Sequence, residues 1–259
     1  MIYFLANSTV QLIFTFVIIF FLFIILRKTL TEFSSFEALP LILPIASHKR
    51  QPFGEVATKV TVGLYVHNFP RFSVEDSFFS LDGTIWFEFN PSQISLEDLG
   101  KFEFFEGKIT MRSIAQIKQI DENIFVSYNF KVTFSSLLNH EKFPFNDHRI
   151  FLILKNEFLS AREIHFFATE SGFSVRAGLR PQGWKLVKTK VETGMIRAKL
   201  EQFDARKTML VPVTVFEFDF SKPGFRYVLL TLVPGFILFY LAVYSILLEY
   251  DPQMTDPII

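Results

Sequence analysis

Between about residues 55 and 221 the chain alternates apolar and polar positions with the two-residue period of a half-buried strand. Lys59–Phe69 puts Val60, Val62, Leu64 and Val66 on one face. Gly83–Asn90 sets Ile85, Phe87 and Phe89 against Trp86 and Glu88. In Asn123–Ser136, Ile124, Val126, Tyr128, Phe130, Val132 and Phe134 oppose Phe125, Ser127, Asn129, Lys131 and Thr133. Arg149–Lys155, Gly183–Thr193 and Met209–Phe220 are rich in β-branched and aromatic residues and read as further strands. Turn chemistry separates the runs at Asn68-Phe69-Pro70, Asp82-Gly83, Asn90-Pro91-Ser92, Asp121-Glu122-Asn123 and Arg180-Pro181-Gln182-Gly183. Short strands without intervening helices predict a mainly β domain, a sandwich or barrel.

The pattern changes at both ends. Val10 to Leu26 carries no charge, and as a helix it reaches about 26 Å, near the lower limit for crossing a bilayer core. Arg27 and Lys28 close it. A signal peptide would carry its positive charge before the apolar run, so the expectation is an uncleaved anchor, with a signal segment as the alternative. Tyr227 to Leu248 is a second run of about 22 uncharged residues, with Arg226 before it and Pro234 and Gly235 in its middle. Neighbouring membrane helices can satisfy the carbonyl that such a proline frees. The expected organisation is an anchor or signal segment over 1–31, a linker over 32–54, the β-domain over 55–224, a transmembrane helix over 225–249 and a tail over 250–259.

Composition narrows function by exclusion. The 259 residues carry 26 basic and 26 acidic side chains, so no basic excess points to nucleic acid as a partner. The absence of cysteine excludes disulfides and thiolate metal sites. None of the five histidines has a histidine partner four residues away, so no helical zinc motif is present and no metal or cofactor is expected. There is no glycine-rich phosphate loop and no Gly-x-Ser-x-Gly elbow, so the chain is not expected to be an enzyme.

Phe134–Glu157 holds a Phe143-Pro144-Phe145-Asn146-Asp147 element between two predicted strands. It resembles the signature loop of the pentameric ligand-gated (Cys-loop receptor) ion channel family, in the prokaryotic type that lacks the disulfide. Asn146 stands where the family usually has Asp, with Asp147 next to it. Val60–Asn90 is similar to the first two strands of that family's binding domain, and Pro181–Leu186 to the Gly-Trp start of its ninth strand. Phe216–Leu248 resembles its last strand and first membrane helix, with Arg226 as the pre-helix arginine and Pro234 as the mid-helix proline.

The resemblance implies an immunoglobulin-like β-sandwich ligand-binding domain with an N-terminal and a C-terminal transmembrane helix. It implies a homo-pentamer of an integral membrane protein, in contact with lipid, whose ligand is a small molecule or a proton. Coupling to the membrane domain would fall to Phe143, Pro144, Phe145, Asn146, Asp147 and Arg226, and Pro234 would kink the membrane helix. Asp147, Glu88 and Asp219 are the acids considered as partners for Arg226. Candidate ligand-binding aromatics are Phe102, Phe104 and Phe105, then Phe166 and Phe167, then Phe203, although in a chain with 35 Phe core packing is the better reading of any one of them. Lys188–Lys207, with Lys188, Lys190, Arg197, Lys199, Arg206 and Lys207, reads as a basic capping loop or a solvated hairpin. Arg27, Lys28 and Arg226 flank the sandwich side of both segments, which by the positive-inside tendency would put the sandwich in the cytoplasm. The family puts it outside, and the expectation follows the family: a bacterial inner membrane with a periplasmic sandwich. The alternative function is a two-helix membrane sensor or accessory protein that uses the same fold without a pore.

Overall fold

The structure, a computed structural model, describes residues 16, 20, 24, 37, 42–43, 57–140, 147–201, 204–222, 234–239 and 242. The chain divides into two units, Phe33–Ser221 and the two flanking stretches Met1–Glu32 and Lys222–Ile259. In the flanking unit the described Phe16, Phe20 and Ile24 are helical and exposed, and their spacing of four puts them on one helix face. Residues 234–239 are helical too, with Ile237, Leu238 and Phe239 exposed. Pro234 is therefore helical; the residues that would define a kink before it lie outside the described ones. So does most of each expected membrane segment, and among the described residues no helix is long and apolar enough to cross a membrane.

The larger unit is mainly β and builds two sheets. The first contains β1 (Thr58–Ser73), β2 (Phe78–Phe89), β4 (Gly107–Arg112), β5 (Gln116–Ile120), β6 (Asn123–Ser135), β8 (Ile164–Phe167) and β9 (Phe173–Val175). Its order is β4-β6-β2-β1-β8, with β5 also on β6 and β9 also on β1. The second runs β10 (Lys185–Glu201), β11 (Asp204–Ser221), β7 (His148–Lys155) and β3 (Glu103–Phe104). A single turn of helix, α1 (Leu96–Leu99), precedes β3; its Ser95 Oγ caps the Glu97 amide.

The predicted alternation holds in burial. Val60, Val62, Leu64 and Val66 of β1, Ile85, Phe87 and Phe89 of β2, and Val126, Tyr128, Phe130, Val132 and Phe134 of β6 all face the core. Aromatic rings join the two sheets. Phe69 of β1 lies edge-on to Phe218 and Phe220 of β11 at 5.6 and 5.5 Å, and Phe72 meets Phe220 at 4.8 Å. Phe104 of β3 stacks on Phe130 of β6 at 5.0 Å.

Two predicted turns lie inside strands. Asn68-Phe69-Pro70 belongs to β1, whose pairing with β2 shifts register between Val66 and Asn68 and again between Asn68 and Arg71. Each bulge flips the inward face, so Val66, Phe69 and Phe72 are all buried, and Pro70 sits where the ladder is interrupted. Asp82-Gly83 runs through β2, with Gly83 between Val66 and Phe130. A side chain there would come within 2.8 Å of the Tyr65 carbonyl, so this glycine serves close approach rather than a turn.

The stretch 32–54, expected as a linker, contains docked residues. Leu43 exchanges both backbone hydrogen bonds with Met195 of β10, at 2.8 and 3.0 Å. Ile42 packs against the satellite cluster of Ile153, Val213 and Val215 on the outer face of the second sheet. Gly194 makes room for it, because a Cβ there would fall 2.2 Å from Ile42 Cγ2 and 2.8 Å from the Leu43 carbonyl oxygen. Gly194→Ala is expected to lift this strap and to cost about 1–3 kcal/mol. Thermal melts, with hydrogen exchange at the Leu43 and Met195 amides, check this; an unchanged melt with unchanged protection would refute it.

Lys188–Lys207, read as a basic capping loop or a solvated hairpin, lies in the antiparallel pair β10 and β11. β10 and β11 match from Lys185↔Ser221 to Glu201↔Asp204.

Candidate functional site: a polar clasp where the chain enters and leaves the sandwich

The outer face of β11 changes character along its length. Val211, Val213 and Val215 are apolar, and the next two residues on that face are Glu217 and Asp219, both buried. The alternate residues Phe216, Phe218 and Phe220 point into the core. Antiparallel pairing sets Arg149 of β7 directly opposite Asp219. Arg149 Nε donates to Asp219 Oδ1 at 2.7 Å and Nη2 to Oδ2 at 3.2 Å, a two-point fork. The same Nε lies 2.9 Å from Glu217 Oε1. One guanidinium thus faces two buried carboxylates, and both hold its proton more firmly than usual, the Asp219 bond most of all.

A third carboxylate comes from the N-terminal strap. Glu37 is buried, and its Oε1 accepts from His148 Nδ1 at 2.7 Å and from the Asn139 amide at 3.2 Å. Its Oε2 accepts from the Arg149 amide at 2.7 Å. A carboxylate oxygen can only accept, so this contact assigns a proton to His148 Nδ1. His148 is fully buried, 5.3 Å from the Trp184 ring and 6.0 Å from the His140 ring, and its Nε2 has no hydrogen-bond partner.

The cluster therefore ties three points together: the strap that enters the sandwich, the start of β7, and the end of β11 from which the chain leaves at Ser221. His148 pairs with Phe220, so the residue just before it, Asp147, lies level with that exit. Asp147 is buried, as a residue of an inter-sheet corner would be.

Burial raises the Glu217 carboxyl above its ordinary 4.5; Arg149 pulls it down and Asp219 pushes it up. Glu217 therefore favours folding below pH 4.5, and that contribution is lost as pH rises through its higher folded value. Glu217→Gln is expected to be more stable than the parent at pH 8, with the gap closing as pH falls to 4.5. Urea unfolding at a series of pH values checks the sign; a variant less stable at pH 8 would overturn it.

Of the expected coupling residues, Asp147 is described: it is buried and directly precedes His148 of this cluster. Phe143, Pro144, Phe145, Asn146 and Arg226 lie outside the described residues. The three acids considered as partners for Arg226 are all among the described residues. Both oxygens of Asp219 are taken by Arg149, and Glu88 is on the other sheet, accepting from Asn123 Nδ2 at 3.3 Å. Sequence reasoning missed Glu37, His148 and Arg149. The available signal was the spacing of Glu217 and Asp219, two acids on the same face of one predicted strand, a pair that favours a cation nearby.

The expected ligand-binding aromatics that are described divide between core and surface. Phe102, Phe104 and Phe166 are buried in the core, with Phe102 5.3 Å from Phe87 and Phe166 6.5 Å from it. Phe105 and Phe167 are exposed, and Lys59 Nζ sits 3.8 Å over the Phe167 ring. Phe203 lies outside the described residues. Phe102 and Phe104 form the floor of an open cleft of about 520 Å³ between β3, the start of β4 and Phe158.

No family model matches the chain, and no curated protein matches it.

Proposed function

We propose that the chain is the ligand-binding subunit, or a fragment of one, of a pentameric ligand-gated ion channel, anchored in a membrane by its apolar flanks. One observation carries the reading. The loop that resembles the family's signature joins β6 of one sheet to β7 of the other, and β7 begins level with the last residues of β11. A displacement between the sheets is thus delivered beside Ser221, the point from which the chain continues into Arg226 and the Pro234 segment. Two ordered sheets with fused aromatic packing suit a two-state rearrangement, because packed cores switch between discrete arrangements rather than deform continuously. The exposed apolar helical residues Phe16, Phe20, Ile24, Ile237 and Leu238 support a lipid environment for the flanks.

A second reading, a two-helix membrane sensor or accessory protein without a pore, is favoured by the strap. Glu37, on the strap, accepts from His148 and Arg149 at the start of β7, and Arg149 in turn holds Asp219 near the end of β11, so both ends of the sandwich chain meet at one cluster. Light scattering on the full chain in mild detergent separates the two. A mass of five protomers is expected for the channel subunit; a monomer or dimer overturns that reading and supports the sensor.

A further inference from the structure

The cleft between β3 and β4 has a floor of aromatic rings, and aromatic-lined clefts usually suit cations. Here the chain supplies that cation itself. Arg112 lies at the end of β4, after a register shift between Ile109 and Met111. Its guanidinium sits 4.2 Å over the Phe102 ring and 4.4 Å over the Tyr128 ring, and Nη2 donates to the Gly100 carbonyl. The two aromatic faces are covered, and the charge is fixed in place before any ligand arrives.

The lining carries three bases, Lys101, Lys108 and Arg112, against one acid, Glu103. Lys108 and Arg112 have no carboxylate within ion-pair distance among the described residues. The acids at the rim share two lysines: Glu103 and Glu157 lie 3.6 and 2.5 Å from Lys155, and Asp98 and Glu97 lie 2.8 and 3.5 Å from Lys101. Lys101 Nζ also lies 5.2 Å over the Phe158 ring, and that ring and Ile109 give the cleft an apolar wall. The volume, about 520 Å³, is within the range of small-molecule sites.

We propose that this cleft binds a small organic anion, a carboxylate with an apolar body. Its charged end meets Arg112 and Lys108, and its body lies against Phe158 and Ile109. A cationic amine is disfavoured twice: the ring faces it would use are occupied, and the nearest uncompensated charges repel it. The inference deepens the receptor reading by naming the ligand's charge, but its test does not depend on assembly.

The test titrates the full chain in detergent with 4-fluorobenzoate, 4-fluorobenzylamine and inorganic phosphate, following the aryl ligands by fluorine NMR and phosphate by competition. Saturable binding of 4-fluorobenzoate, weakened by salt, is expected, with no saturable binding of the amine. Arg112→Gln and Lys108→Gln are each expected to weaken 4-fluorobenzoate by about fivefold or more, the range of a lost charge-assisted contact. Lys188→Gln, exposed on β10, is expected to leave it unchanged. Lys108 is exposed, so its variant keeps the test valid should Arg112→Gln fail to fold. Absence of 4-fluorobenzoate binding, equal binding of the amine, or unchanged affinity in Lys108→Gln would overturn the proposal. Displacement by phosphate at equal strength would refute the need for an apolar body. A monomer that binds 4-fluorobenzoate sinks the pentamer and keeps the site; a pentamer that does not bind it does the reverse.

Discussion

Replacing Arg149 with methionine is expected to destabilise the sandwich by about 3 kcal/mol at pH 8, the scale for removing one member of a buried ion pair. Methionine keeps the aliphatic stem, so the loss isolates the charge. Glu217 and Asp219 would remain inside the protein with no guanidinium between them, and Lys190, opposite Glu217 and close to Glu192, is too exposed to replace it. The deficit should depend on pH with a definite sign. Arg149 is what lowers the Glu217 carboxyl against burial, so its removal sends that carboxyl higher still. Protonation then relieves the repulsion, and the gap between variant and parent narrows as pH falls toward 4.5. Urea midpoints at pH 8 and pH 4.5 decide it. A gap of equal size at both would mean that lost packing, not charge, sets the cost.

Glu37→Ala is the second large effect, expected at about 2–3 kcal/mol, because one buried carboxylate accepts three hydrogen bonds, one of them from the fully buried His148 Nδ1. The change should also be felt at a distance along the strap. If Glu37 helps hold Ile42 and Leu43 to the sheet, hydrogen exchange at the Leu43 and Met195 amides should quicken far more than at core amides such as Phe130. Glu37→Gln keeps one acceptor oxygen and should recover part of the loss. Uniform acceleration across the whole sandwich, with no preference for the strap, would show that Glu37 acts on global stability only.

The sandwich was legible where one strand face meets the core. Val126 to Phe134 of β6 alternate without interruption, and so does the first half of β1. The alternation fails to mark strands in two physical situations. β5, from Gln116 to Ile120, is exposed throughout, so pairing with β6 rather than burial makes it a strand. In β1 beyond Val66, two bulges change the phase and make a strand look like a turn. The candidate site was legible only in part. Asp147 was reached through a motif, but Glu37 sits in a proline-containing stretch that reads as linker, and nothing local joins position 37 to positions 148 and 149. The fork between Arg149 and Asp219 depends on the register of two strands far apart in sequence, while the nearest arginine along the chain, Arg226, suggested a different partner.

β1 is held on one side by its immediate neighbour β2, and on the other by two strands, β8 and β9, that run parallel to it. Thr58 meets Ile164 and Leu64 meets Phe173. The hairpin with β2 can close as soon as both strands leave the ribosome, but the other edge of β1 must wait until most of the domain has been made. During that interval a row of unpaired amides and carbonyls from Thr58 to Val66, backed by valines, stays open to any passing strand. Synthesis therefore contains a window of vulnerability to mispairing between nascent copies, and it closes only when Val175 has emerged.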